Sequence, residues 1–309
     1  MCLPKERMKQ YPKNVKIVEV GPRDGLQNES KIISTSDKVK FIELLSQSGL
    51  KEIEVTSFVH PERVPQLADG DDVVKALKPH PAIRYSALVP NLRGLERAIK
   101  SGIKRIAVFT AASEIFTKKN INMTIDESLQ TFKPVVQEAL KNKISVRGYV
   151  STCFVCPYEG KIGKENVLSV ASSLLELGVD EISLGDTTGA AVFLDVKETV
   201  NYVLSKIPKE KIALHFHDTY GNALANVKAG LELGITVYDS SSGGLGGCPY
   251  APGASGNLAT EDLLYMLNEM EIEAGVKIDK IAEASKFIQN IIGKRLPSKQ
   301  LQKILSSAK

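Results

Sequence analysis

The sequence predicts an α/β fold, a closed (β/α)8 (TIM) barrel with a C-terminal helical appendage. Three observations predict it. A Gly-apolar phrase recurs along the chain, eight short β-rich runs alternate with helical periodicity, and no Gly-x-Gly-x-x-Gly opens the first β-to-α turn as a dinucleotide fold would require.

The phrase is Ser48-Gly49-Leu50-Lys51-Glu52-Ile53-Glu54-Val55. It returns as Ser101-Gly102-Ile103-Lys104-Arg105-Ile106-Ala107-Val108, as Leu177-Gly178-Val179-Asp180-Glu181-Ile182-Ser183-Leu184, and more loosely as Leu233-Gly234-Ile235-Thr236-Val237. A left-handed Gly ends a helix, an apolar residue docks back, and a strand follows. The Gly spacings are 53, 76 and 56 residues, and Asn142-Lys143-Ile144-Ser145-Val146 fills the junction inside the long gap. The strand candidates are Val15–Val20, Glu52–Phe58, Ile83–Val89, Arg105–Thr110, Ser145–Ser151, Glu181–Leu184, Ile212–His217 and Thr236–Ser240. Between them, Val39, Ile42 and Leu45 repeat at helical spacing over Ser36–Ser48, with Thr35 or Ser36 as the expected cap. Val167–Leu177 is apolar and closes at Gly178. Beyond Met270 the pattern is purely helical. Ile281, Ala284, Ile288 and Ile291 share a face, Gly293 ends it, and Leu301, Ile304 and Leu305 suggest a last short helix. Residues 1–270 are thus expected to form the barrel, and residues 271–309 an extension packed on it within the same domain.

Composition narrows the function classes. The 309 residues are 43% apolar and 25% charged, which excludes disorder, and no apolar run is long enough for a spanning helix. A net charge of +4, without a basic run interleaved with aromatics, argues against nucleic acid and mildly favours an anionic small substrate. The first fourteen residues lack the apolar core of a signal peptide. Four cysteines, Cys2, Cys153, Cys156 and Cys248, make no disulfide framework, so a reducing cytoplasm is expected.

Active sites of barrels lie at the C-terminal strand ends, and here those ends are loaded. The first leads into Gly21-Pro22-Arg23-Asp24-Gly25-Leu26-Gln27-Asn28. The second carries Glu54 and Ser57, the fifth Arg147, Tyr149 and Ser151, and the sixth Ser183 and Asp186. His215-Phe216-His217 is the sharpest signal, because strand residues two apart face the same side, here the lumen. The plain alternative is a pair of hydrogen-bonded core histidines. Two imidazoles with the carboxylate of Asp24, and the amide oxygen of Asn257 as a fourth ligand, suit a hard divalent ion, Mg²⁺ or Mn²⁺, with zinc or Fe(II) still open. Cys248 sits in a stretch with six Gly between 243 and 256, either as an inert loop thiol or as one presented to substrate when the loop closes. Cys153-Phe154-Val155-Cys156 has redox spacing but no second pair, and reads as structural. Arg23 is either a surface partner of Asp24 or a cation aimed at a developing oxyanion. Glu54 and Asp186 are either interior ion-pair partners or catalytic. Lys118-Lys119-Asn120 is either a solvated face or a contact for the phosphates of a cofactor-bearing substrate.

Five segments carry a family resemblance: Val18 to Asn28, Phe116 to Asn122, Ser145 to Val150, His215 to Gly221, and Gly243 to Thr260. Through them the chain resembles the hydroxymethylglutaryl-CoA lyase family, within the metal-dependent lyase and synthase superfamily, over about residues 14 to 292. The Gly-Gly-Cys-Pro-Tyr-Ala loop favours the lyases over the acetyl-CoA/2-oxo acid synthases. The resemblance implies metal ligands at Asp24, His215, His217 and Asn257, a catalytic thiol at Cys248 and a catalytic cation at Arg23. It places Gln27, Ser57, Tyr149, Ser183, Glu54 and Asp186 on the acyl site, the last two with catalytic roles. It further implies cleavage of 3-hydroxy-3-methylglutaryl-CoA to acetoacetate and acetyl-CoA, as in leucine degradation, in a homodimer. The bound metal would polarise the tertiary hydroxyl, Asp24 or His215 would take its proton, Arg23 would stabilise the enolate and Cys248 would protonate it. Open alternatives are a Claisen-type synthase, a lyase for a longer-branched 3-hydroxyglutaryl-CoA, and a non-catalytic metal-binding scaffold. Two departures from animal members are expected to matter. No mitochondrial presequence is evident, which implies a bacterial-type cytosolic enzyme. The tail Leu305 to Lys309 has no cysteine, so thiol regulation there is not expected.

Overall fold

The computed structural model describes residues 11–247 and 256–307. Its strands are β1 (Lys16–Glu19), β2 (Glu52–Ser57), β3 (Arg84–Leu88), β4 (Arg105–Ala111), β5 (Ser145–Ser151), the two-residue hairpin strands β6 (Val155–Cys156) and β7 (Gly160–Lys161), β8 (Glu181–Asp186), β9 (Ile212–Phe216) and β10 (Val237–Ser240). Eight of them close into a barrel in the order β1-β10-β9-β8-β5-β4-β3-β2, every neighbour parallel. These are the eight expected strands, with ends shifted by at most two residues. The fold is a TIM barrel.

The recurring phrase acts as its sequence implies. Gly49, Gly102, Gly178 and Gly234 all take left-handed φ, between 79° and 106°, where each helix hands over to the next strand. At the junction without the phrase, Lys143 takes the same conformation with φ 58°. The barrel is wrapped by α1 (Thr35–Ser46), α2 (Gly70–Ala76), α3 (Leu92–Ser101), α4 (Glu114–Ile121), α5 (Ile125–Lys141), α6 (Lys164–Glu176), α7 (Phe193–Leu204), α8 (Ala223–Glu232) and α9 (Thr260–Glu269). The cap of α1 differs from expectation. Ser34, not Thr35 or Ser36, accepts the Asp37 N–H at 3.2 Å, because Ser34 holds the extended backbone a cap needs and Thr35 is already helical. Among the described residues no helix is long and apolar enough to cross a membrane.

The appendage is α10 (Ile278–Ile292) and α11 (Lys299–Ser307). Ile281, Ala284 and Ile288 of α10 are buried against the barrel's outer helices, and Gly293 ends the helix at φ 83°. In α11 only Leu301 is fully buried, while Ile304 and Leu305 are partly covered.

The apolar core lies between strands and helices. The lumen is polar, and its N-terminal end is a web of ion pairs. Arg105 Nε meets Glu52 at 2.7 Å, Arg147 Nε meets Glu181 at 2.9 Å, and Lys16 reaches Glu181 at 3.1 Å. Most of these residues are the first of their strands, so the web floors the barrel and leaves the opposite end free for chemistry.

Candidate active site

The chain leaves β1 through a single π-helical turn, Gly21–Gly25, in which the N–H groups of Arg23, Asp24 and Gly25 converge on the Val20 carbonyl at 3.1, 2.8 and 3.2 Å. That wide turn sets Arg23 and Asp24 side by side at the lumen mouth. Both are buried, and they pair at 2.5 Å, so the surface ion pair is excluded. Arg23 Nε also meets Glu54 Oε2 at 2.5 Å.

On β9 the period-two alternation sends Phe216 into the outer core beside Phe154 and turns His215 and the following His217 inward. Each imidazole Nε2 lies 4.0 Å from Asp24 Oδ2, and one ligand atom from each of the three residues lies within 4.8 Å of the others. A cation with bonds of about 2.0–2.2 Å fits between donors so spaced. Burial, aided by His215 and Arg23, lowers the His217 pKa to about 4, so its ring is neutral and its lone pair available. Burial alone would raise Asp24, but Arg23 and then the two imidazoles outweigh it and hold the carboxyl at about 2. Burial likewise opposes the charge on Arg23, but Glu54 and Asp24 outweigh it and keep the guanidinium charged. Glu54 is raised, by burial first, with Arg23 pulling the other way.

Asn257 Nδ2 donates to Asp24 Oδ2 at 2.8 Å, and its buried Oδ1 has no hydrogen-bond partner among the described residues. His217 Nδ1 is in the same condition. A buried amide oxygen is seldom left so, and that of Asn257 beside an acid–imidazole triad fits a site built for a hard cation. Gly246 is needed at this place. Its φ is 130°, and a Cβ there would sit 2.8 Å from Asn257 Nδ2.

A cavity of about 610 Å³ opens over the triad, within the usual range for a ligand site. Arg23, Asp24, Gln27, Tyr149, His215 and His217 line it, together with the apolar Phe109, Phe116 and Met123. Gln27 Nε2 donates to Asp24 Oδ1 at 3.3 Å. The Tyr149 hydroxyl donates to Glu54 at 3.2 Å, and its ring lies between Arg23 and Arg147. Asn120 reaches the cavity, whereas Lys118 and Lys119 are exposed on α4. Cys153 is buried with its thiol donating to the Val150 carbonyl at 2.9 Å, and burial pushes its pKa up, which suits a structural cysteine.

Three expectations need correction or a further reason. Asp186 is not brought to the cavity. Gly185 and Thr187 line it, and the Asp186 carboxyl instead accepts the Ala191 N–H at 3.1 Å, with burial raising its pKa to about 7. Ser183 also lies off the cavity, donating to Asp239 at 2.8 Å beneath His215. Ser57 should face outward by alternation from Glu54, but the ladder slips between Glu54 and Thr56 and pairs Ser57 with the cavity residue Leu88. Cys248 lies outside the described residues, and Gly247, the last described residue before it, lines the cavity. Asp239 was missed. It is a lone carboxylate in an otherwise strand-like run, on the lumen parity, and that was the available signal.

The family model HMGL-like matches residues 14–288. The hydroxymethylglutaryl-CoA lyase of Bacillus subtilis is 51% identical over 297 residues, covering 96% of this chain and 99% of that protein. Among solved structures, hydroxymethylglutaryl-CoA lyase from Pseudomonas aeruginosa superposes with a TM-score of 0.95 at 47% identity, covering 96% of this chain and 99% of that one. A hydroxymethylglutaryl-CoA lyase from Acinetobacter baumannii, solved in complex with coenzyme A and 3-methylmalate, gives a TM-score of 0.90 at 40% identity, covering 94% and 95%.

Proposed function

The chain belongs to the HMGL-like family, and from that premise we propose that it cleaves 3-hydroxy-3-methylglutaryl-CoA to acetoacetate and acetyl-CoA. The observation that carries the reading is the convergence of Asp24, His215 and His217 at the cavity, with Arg23 against Asp24. These three side chains would hold a divalent cation, Mg²⁺ or Mn²⁺, with Asn257 Oδ1 as a fourth donor. Such a cation supplies Lewis acidity that makes a tertiary hydroxyl easier to deprotonate.

The chain's own groups do the rest. Asp24 accepts the hydroxyl proton, because His215 Nε2 is the nitrogen that would face the cation, and the C–C bond then breaks to leave acetoacetate and the enolate of acetyl-CoA. Arg23, fixed by Glu54 and Asp24, offers its charge to the thioester oxygen, a role worth about 3–4 kcal/mol where one oxyanion donor is removed. Gln27 and Tyr149 border the same cavity, and Ser57 is aligned with it in register. Cys248 delivers a proton to the enolate carbon. Its support is its place one residue after cavity-lining Gly247. The cavity's apolar lining residues, Phe109, Phe116 and Met123, suit the thioester arm of an acyl-CoA, and the Acinetobacter relative was solved with coenzyme A. The same reading has the enzyme working in the cytoplasm as a homodimer, in leucine degradation.

The test is a cation-titrated assay with hydroxymethylglutaryl-CoA, detecting acetoacetate. Turnover absent without the cation and restored by it is expected. Free CoA released from acetyl-CoA plus a 2-oxo acid, with no acetoacetate from the lyase substrate, would mean a synthase instead. Cys248→Ser should lose about 10²–10⁴ in kcat, the usual worth of a general acid, while cation affinity is unchanged. Near-normal kcat would remove the thiol from the reaction.

A further inference from the structure

Two imidazoles stand at the cavity, and the structure treats them differently. His217 Nδ1 has no partner among the described residues, whereas His215 Nδ1 lies 3.3 Å from Asp239 Oδ2. Asp239 sits on β10 directly beside His215 in the ladder. It is 1% exposed. Its Oδ1 accepts Arg147 Nη2 at 2.7 Å and its Oδ2 accepts the Ser183 hydroxyl at 2.8 Å. Arg147 is itself tied to Glu181 at 2.9 Å and donates to the Tyr149 hydroxyl at 3.1 Å. The Tyr149 ring meets the His215 ring edge-on, with centroids 6.3 Å apart.

We propose that Asp239 is a positioning residue that fixes the tautomer and ring orientation of His215. A carboxylate paired with arginine has only acceptors to offer. The facing Nδ1 must therefore carry the hydrogen, which leaves the lone pair on Nε2, the nitrogen 4.0 Å from Asp24. Outer partners of this kind fix which nitrogen of a ligating histidine is free and hold the ring in place. Arg147 and Ser183 hold Asp239 in turn, so the ion-pair web at the floor reaches His215 through this side chain. The inference rests on the lyase reading, because it assigns His215 Nε2 to the cation.

The experiment is Mn²⁺ binding to metal-stripped protein, wild type against Asp239→Asn, followed by electron paramagnetic resonance or calorimetry. The amide can donate to Nδ1 and so reverse the tautomer. The dissociation constant for Mn²⁺ should rise about 10–100-fold, the usual cost of losing such a partner. Equal affinity in a folded variant would overturn the proposal. Should Asp239→Asn not fold, ¹⁵N shifts of the His215 ring in metal-free wild type decide it. A hydrogen on Nδ1 is expected, and one on Nε2 overturns it. Wild type that binds no Mn²⁺ would sink the lyase reading instead, and the ¹⁵N measurement would still stand as the test of Asp239.

Discussion

The two ends of the barrel lumen bury charge in opposite ways. At the floor, Glu52, Arg105, Arg147 and Glu181 meet in pairs, with Lys16 closing the ring from the edge. At the mouth, Asp24 and Arg23 are paired, but Asn257 Oδ1 and Glu54 Oε1 have neither a hydrogen bond nor an ion pair among the described residues, whereas the floor atoms without a hydrogen bond, Glu52 Oε1, Arg105 Nε and Arg147 Nε, are each held in an ion pair. The same residue types thus serve two ends. Matched charges lock the strands where no ligand is to enter, and unmatched lone pairs wait where one is. A buried pair adds little net stability, yet removing one member strands the other, so the floor is costly to break without being a site.

Substitutions at each end can break this contrast. The largest expected effect is at the mouth. His217→Ala should weaken cation binding by more than about 100-fold, beyond the range for outer partners, and excess cation should restore part of the turnover. Cation dependence of turnover unchanged from wild type would remove His217 from the ligands. Next is the floor. Arg105→Met should cost about 3–5 kcal/mol in urea unfolding, because Glu52 and Glu181 lose a buried partner, while Mn²⁺ affinity of the folded protein stays near wild type. Lost affinity with little lost stability would erase the distinction between the ends.

The smallest effect sharpens the border of the mouth. Burial raises Asp186 to about 7 from an ordinary 3.8. The folded state therefore keeps this proton over a range where the unfolded chain has lost it. Stability from this group is full at low pH and is lost as pH rises from about 4 to about 7. Asp186→Asn should flatten that part of the thermal midpoint against pH and leave cation affinity alone. A changed cation affinity would tie Asp186 to the site although it does not line the cavity.

Much of the fold was legible because each rule involved is local. A left-handed Gly and the apolar residue after it mark every junction they occupy, and Lys143 shows that the conformation, not the residue, is what the junction requires. The His215 and His217 pair was legible because alternation is a property of any strand. The same rule misplaced nothing at Asp186, where it points outward. The family pattern, not alternation, had put that residue on the acyl site. Ser57 shows the rule's limit, since a one-residue slip against β3 re-aimed it and no local pattern announces a slip.

The sequence by itself determined the strand count, the parallel order and the residue types that gather at the strand ends, because periodicity and turn chemistry act over a few residues. Only the tertiary structure decided that Asp239 stands under His215 and not His217, and that Ser183 serves Asp239 rather than the cavity. Those contacts join strands 24 to 56 residues apart in the chain. Their geometry depends on how neighbouring strands register and twist around the closed barrel, which no single stretch of sequence encodes.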